Sequence, residues 1–129
     1  MILVDTSVLV DYLRSPSDRV LRLFEENEAA ICGVVRAEVL VGARNPADIE
    51  RIARCLDVLQ HVDISEGIWD RLGKNLSLLR AAGVIVPFPD TLIATIAMEQ
   101  DIELWTNDTH FARIQGVLPA LRLFRETVA

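Results

Sequence analysis

The chain is short of the residues that mark several protein classes. It has two cysteines, Cys32 and Cys55, far apart and without a Cys-x-x-Cys pair. That excludes a disulfide framework and a thiolate zinc site. Cys32, inside an apolar run, reads as a small buried hydrophobe. Lysine is nearly absent: among 13 basic residues only Lys74 is not arginine. Aromatics make up 5% of the chain, so the core must be built from Leu, Val, Ile and Ala. No apolar run approaches membrane-spanning length. At the N-terminus the apolar run Ile2-Leu3-Val4 is cut short by Asp5 with no basic segment before it. No signal peptide, no membrane contact and a reducing, cytoplasmic setting are therefore expected. Glycine-rich phosphate loops, internal repeats and low-complexity tracts are also lacking.

What is present is a chain of 129 residues, 51% hydrophobic, with a net charge of -6. This length and apolar content fit one domain, residues 1–129, with a sizeable core. The acidic balance counts against nucleic acid as a partner unless something local reverses the sign.

Apolar runs at residues 2–4, 29–35 and 102–105 read as buried strands, with shorter strand candidates at 62–64 and 121–124. Helical spacing follows each. Thr6 and Ser7 can cap a first helix, and Ser15-Pro16 opens a second, with proline at its first position. Residues 37–43 form a helix carrying Glu38, and Asn45-Pro46 starts another. Ser65 caps a long helix that Gly83 ends. Pro87 and Pro89 bracket a turn before Asp90 opens an apolar helix to about residue 98. A short helix holds Phe111 and Ile114. Trp69 and Trp105 read as core. Alternating strands and helices predict an α/β layer fold with a mainly parallel sheet.

Parallel sheets bind ligands beyond the carboxyl ends of their strands. Asp5 and Asp108 follow two predicted strands, Asp90 opens a helix, and Glu38 lies early in the helix after the second strand. The four acids can project to one sheet edge. Clustered carboxylates repel, and a cation relieves that repulsion. Hard oxygen donors suit Mg²⁺ or Mn²⁺, which would acidify a bound water and shield a phosphate. Taken singly, Asp5, Asp90 and Asp108 read equally as helix caps, and Glu38 as a solvated helix residue. Thr6, Ser7 and Asn107 can bond carboxylates or cap locally. His61 and His110 show no partner at ligand spacing and read as structural.

Four segments carry a resemblance: Val4-Asp5-Thr6-Ser7, Ala37-Glu38-Val39-Leu40-Val41-Gly42, Asp90-Thr91-Leu92-Ile93-Ala94-Thr95, and Thr106-Asn107-Asp108 with His110-Phe111. In order and spacing the chain resembles the PIN-domain nucleases, and within them the VapC-type toxins of bacterial toxin–antitoxin pairs. The resemblance implies a three-layer α/β/α fold, Mg²⁺ or Mn²⁺ dependence and endonuclease action on RNA. It also implies a homodimer and inhibition by a small antitoxin protein. It makes Asp5, Glu38, Asp90 and Asp108 the acidic site, with Asp5, Asp90 and Asp108 as metal ligands and Thr6, Ser7 and Asn107 in support. Arg36 departs from the pattern, where similar sequences carry a small hydroxyl residue; it can pair with a site carboxylate, reach substrate phosphate or lie idle on the surface.

Two other readings compete. A receiver-like signalling domain shares the length and acidic pocket, but needs a lysine after a late strand, whereas Lys74 falls inside a predicted helix. A catalytically inactive α/β interaction module would keep the fold without the chemistry. A haloacid-dehalogenase-like phosphatase wants a second Asp two residues after the first, and that position is Ser7.

Overall fold

Helices and strands alternate from the first residues of the computed structural model, which describes residues 1–126. In chain order they are β1 (Ile2–Val4), α1 (Thr6–Arg14), α2 (Asp18–Glu26), β2 (Ala29–Cys32), α3 (Gly33–Val41), α4 (Pro46–Asp57), β3 (Gln60–Val62), α5 (Ile68–Ala81), α6 (Phe88–Glu99), β4 (Glu103–Trp105) and α7 (His110–Val117). The strands form one sheet in the order β3-β2-β1-β4, with every pairing parallel. Helices cover both faces, giving the three-layer α/β/α arrangement.

Burial explains the strand sequences. Strands β1 and β2 are buried throughout, so they read as continuous apolar runs rather than alternating ones. Strand β3 is an edge, and its Gln60 and His61 are exposed. Helix α6 is buried from Thr91 to Ala97. Its apolar residues therefore occupy all sides, as expected of a helix packed in the middle of a fold. Phe111, Leu3, Ile31, Ile93 and Leu104 are among the side chains filling the core. Among the described residues no helix is long and apolar enough to cross a membrane.

The strand order reverses once. The chain steps from β1 to β2 to β3 on one side, then returns to place β4 on the other side of β1. The crevice between the carboxyl ends of β1 and β4 is thus the switch point, where a parallel sheet opens a ligand site.

Several boundaries differ from the sequence expectation. The second helix starts after Pro16, because the Ser17 hydroxyl accepts the Val20 N–H at 3.3 Å and makes Ser17 the cap. The apolar run 29–35 does not stay extended: β2 ends at Cys32, and Val34 and Val35 enter α3. Helix α6 begins at Phe88, two residues before Asp90. The expected strand at 62–64 lies earlier, at β3. Residues 121–124 make only a single bridge, Leu104 to Leu123. Trp69 is not core but half exposed, whereas Trp105 is buried. Lys74 does lie within a helix, α5. Both cysteines are free; burial of Cys32 pushes its thiol pKa up.

Candidate active site

Register brings the first pieces together. Val4 of β1 pairs with Trp105 of β4, so Asp5 and Thr106 emerge side by side at the carboxyl edge. The Asp5 N–H donates to the Trp105 carbonyl at 2.9 Å, one last rung of that ladder. Asp5 also caps α1 and is only 3% exposed. A carboxylate so enclosed needs donors, and it has three, all on one oxygen. The Ser7 hydroxyl donates to Oδ2 at 2.7 Å, the Thr106 hydroxyl at 2.8 Å and the Ser7 N–H at 3.4 Å. With Oδ2 occupied, Oδ1 is the oxygen left to face a ligand.

The same hydroxyls also accept. The Asn107 N–H donates to Ser7 Oγ at 3.0 Å, and the Asp108 N–H to Thr106 Oγ1 at 2.9 Å. The Asn107 amide donates to Asp11 Oδ2 at 2.9 Å. The turn at 106–108 is therefore stitched to α1 by side chains on both sides, which fixes the direction of Asp108.

Two more acids enter from helices. Asp90 sits in the first turn of α6, and Asp108 precedes α7. His110 Nδ1 lies 2.8 Å from Asp90 Oδ2 and 3.1 Å from Asp108 Oδ1. The His110 N–H donates to Asp108 Oδ1 at 2.9 Å. One donor atom from each of Asp90, Asp108 and His110 falls within 4.8 Å of the others. The Asp90 carboxyl pKa is pushed up, first by burial and then by the charges of Asp108 and Asp5; the His110 hydrogen bond pulls it back in part. The charges of Asp5 and Asp108 thus both bear on Asp90.

Glu38 occupies the second turn of α3, outside that triple. Its Oε1 accepts the Thr6 hydroxyl at 2.8 Å, which ties it to the residue next to Asp5. Arg36 points elsewhere: Nη1 meets Asp57 Oδ1 at 2.9 Å, joining α3 to the end of α4. Its guanidinium is thereby engaged away from the carboxylates. Thr6, Ser7 and Asn107 all make bonds at the edge.

The donor set fits a hard divalent cation. Two carboxylates and one imidazole converge, and the charges of Asp108 and Asp5 bear on a partly buried Asp90. Oxygen donors suit Mg²⁺, and the added nitrogen favours Mn²⁺. His110, Thr106 and Asp11 were not among the residues the sequence singled out for the site. The available signal for His110 was its position two residues after Asp108, at the first turn of a helix. There, an Asp that accepts the backbone N–H two residues on lies beside that residue's side chain.

Comparison with known proteins follows the same lines. The PIN domain family profile matches residues 2–117. Ribonuclease VapC1 of Methanocaldococcus jannaschii is 30% identical over 115 residues, covering 88% of this chain and 81% of that protein. Ribonuclease VapC11 of Mycobacterium tuberculosis is 28% identical, covering 93% and 98%. Among solved structures, VapBC2 from Rickettsia felis bound to a DNA fragment from their promoter superposes with a TM-score of 0.82 at 27% identity, covering 96% of this chain and 98% of that one.

Proposed function

The chain belongs to the PIN domain family, and from that premise we propose that it is a metal-dependent endoribonuclease, the toxin of a toxin–antitoxin pair. The observation that carries this reading is the meeting of Asp90, Asp108 and His110 within 4.8 Å at the sheet edge that Asp5 shares. When bound, Mg²⁺ or Mn²⁺ supplies an acidified water and positive charge against the RNA phosphate. It also answers the objection raised by the acidic net charge.

The protein side of the chemistry is positional. Asp5 would help hold the ion, its orientation fixed by Ser7 and Thr106 through Oδ2. Asp90 and Asp108 complete the carboxylate set from α6 and the 106–108 turn. Glu38, held through one oxygen by Thr6, keeps its other oxygen for a water proton. His110 places Nδ1 between the Asp90 and Asp108 carboxylates and ties the two together.

The protein partner is a small antitoxin. A cavity of about 370 Å³ opens between α1, α2 and α4, lined by Leu9, Leu13, Phe24 and Leu56 with Glu25 and Glu28 beside them. It suits the apolar side of a helical segment that carries basic residues. A homodimer in the cytoplasm completes the proposal.

Asp5→Asn should fold and lower RNA cleavage by roughly two or more orders of magnitude, since it removes a ligand charge from the water-activating site. EDTA should abolish cleavage by the unaltered protein. Cleavage at the normal rate by Asp5→Asn, or in EDTA, overturns the assignment.

A further inference from the structure

The acidic cluster and a second cavity, larger than the one beside α1, share two helices. That cavity, about 690 Å³, opens between α5, α6 and the segment after α7. Its floor is α6, through Thr95 and Met98. Asp90 lies on the same helix five residues before Thr95, about 7.5 Å along its axis. One wall is the end of α7, through Val117 and Leu118. His110, Arg113 and Val117 are spaced by three and four residues, so they share one face of α7. That face runs from the acidic cluster to the cavity, with Arg113 midway. The opposite wall is α5, with Lys74 and Asn75 facing the opening.

Two of the cations along this route, Lys74 and Arg113, are uncommitted. Arg19, Arg36, Arg51, Arg71 and Arg122 are paired with carboxylates. Lys74 and Arg113 are exposed and, among the described residues, in no ion pair. Of the two acids lining the cavity, Glu99 is neutralised by Arg71; Asp70 is in the first turn of α5. The floor is polar but satisfied: the Asn75 amide donates to the Thr95 hydroxyl at 3.0 Å, which donates to the Thr91 carbonyl at 2.7 Å. Asn75 keeps its amide oxygen and a second N–H for a ligand. Leu78, Met98 and Leu118 supply apolar surface of the kind a ribose or base covers.

We propose that the groove between α5 and α7, floored by α6, seats the single strand of RNA leading away from the scissile phosphate, with Arg113 and Lys74 contacting its backbone phosphates. This rests on the ribonuclease reading and adds the path of the substrate. A strand bound only at the acidic edge would depend wholly on the metal for attraction. A strand laid between α7 and α5 meets Arg113 on one side and Lys74 on the other.

The test measures binding apart from cleavage. Asp90→Asn serves as a cleavage-disabled background, and a labelled single-stranded RNA 20-mer is titrated in Mg²⁺ by fluorescence anisotropy at several salt concentrations. Adding Lys74→Ala with Arg113→Ala should weaken binding roughly tenfold. It should also flatten the slope of log affinity against log salt by about 1.4, from about 0.7 per phosphate on a single strand. Lys74→Arg with Arg113→Lys should restore both, while Arg22→Ala and Arg54→Ala on α2 and α4 should change neither. Unchanged affinity and slope in the double alanine variant overturn the groove and leave the nuclease reading standing. No RNA binding by the Asp90→Asn background overturns both. Loss of antitoxin binding with RNA binding intact would assign the groove to the protein partner and overturn the RNA path.

Discussion

A half-buried carboxyl facing two neighbours of its own sign either takes up a proton or gains a cation. Asp90 is in that position, and its raised pKa has a signed consequence. The folded chain binds the Asp90 proton more tightly than the unfolded chain does. Without metal, this contribution to stability is complete below the unfolded carboxyl pKa, about 3.9, and is lost as pH rises through the folded value. Urea titrations in EDTA should show Asp90→Asn lacking that decline; parallel pH profiles for the two proteins would refute it. Asp5 carries a different expectation. Thr106→Val removes a donor from a carboxylate that is 3% exposed, which should cost about 1–3 kcal/mol in denaturant unfolding. Thr106→Ser should restore most of it, and equal stabilities for Val and Ser would refute the role. Asp5 and Asp108 were legible because each follows an apolar strand run. His110 was not, because its meaning depends on a backbone turn that places it against a residue on another helix, Asp90.

Helix ends show where pattern reading succeeds and where it does not. Gly83 was legible as the stop after α5, and it takes φ 73, the left-handed region. No side chain crowds the place a Cβ would occupy, so backbone strain alone sets the cost of Gly83→Ala. That change should destabilise the fold by about 1 kcal/mol in chemical denaturation, and a neutral result would refute the explanation. The transition from β2 to α3 was not legible. Cys32, Val34 and Val35 look alike in a strand or a buried helix, and short apolar runs do not discriminate. The sheet decides instead: β2 needs only four residues to span its neighbours, and Val35 is then buried as a helical residue. Ser17 displaced Pro16 at the start of α2 for a similar reason, since a hydroxyl aimed at an orphan N–H outweighs a favourable φ.

At the scale of the whole molecule, an edge crowded with like charge should be stabilised by the ion it binds. The folded chain offers a site that the unfolded chain lacks. Stability then rises by about 2.7 kcal/mol at a hundredfold excess of metal over Kd. For a chain of this length that is a melting shift of roughly 10 °C. Asp90→Asn should melt higher than the unaltered protein in EDTA and gain less from Mn²⁺. If Mn²⁺ shifts both equally, or neither, the acids do not form a metal site. The strand order has one more consequence. Asp5 and Thr106 meet across 101 positions, because the last strand closes against the first. A growing chain presents Asp5 well before the 106–108 turn, with β2, β3 and β4 between them. Until β4 slides in beside β1, Asp5 lacks its threonine donor and Asp108 has no fixed place. The edge shared by Asp5, Thr106 and Asp108 is therefore assembled only once β4 has been made and paired, so the site is a late product of folding.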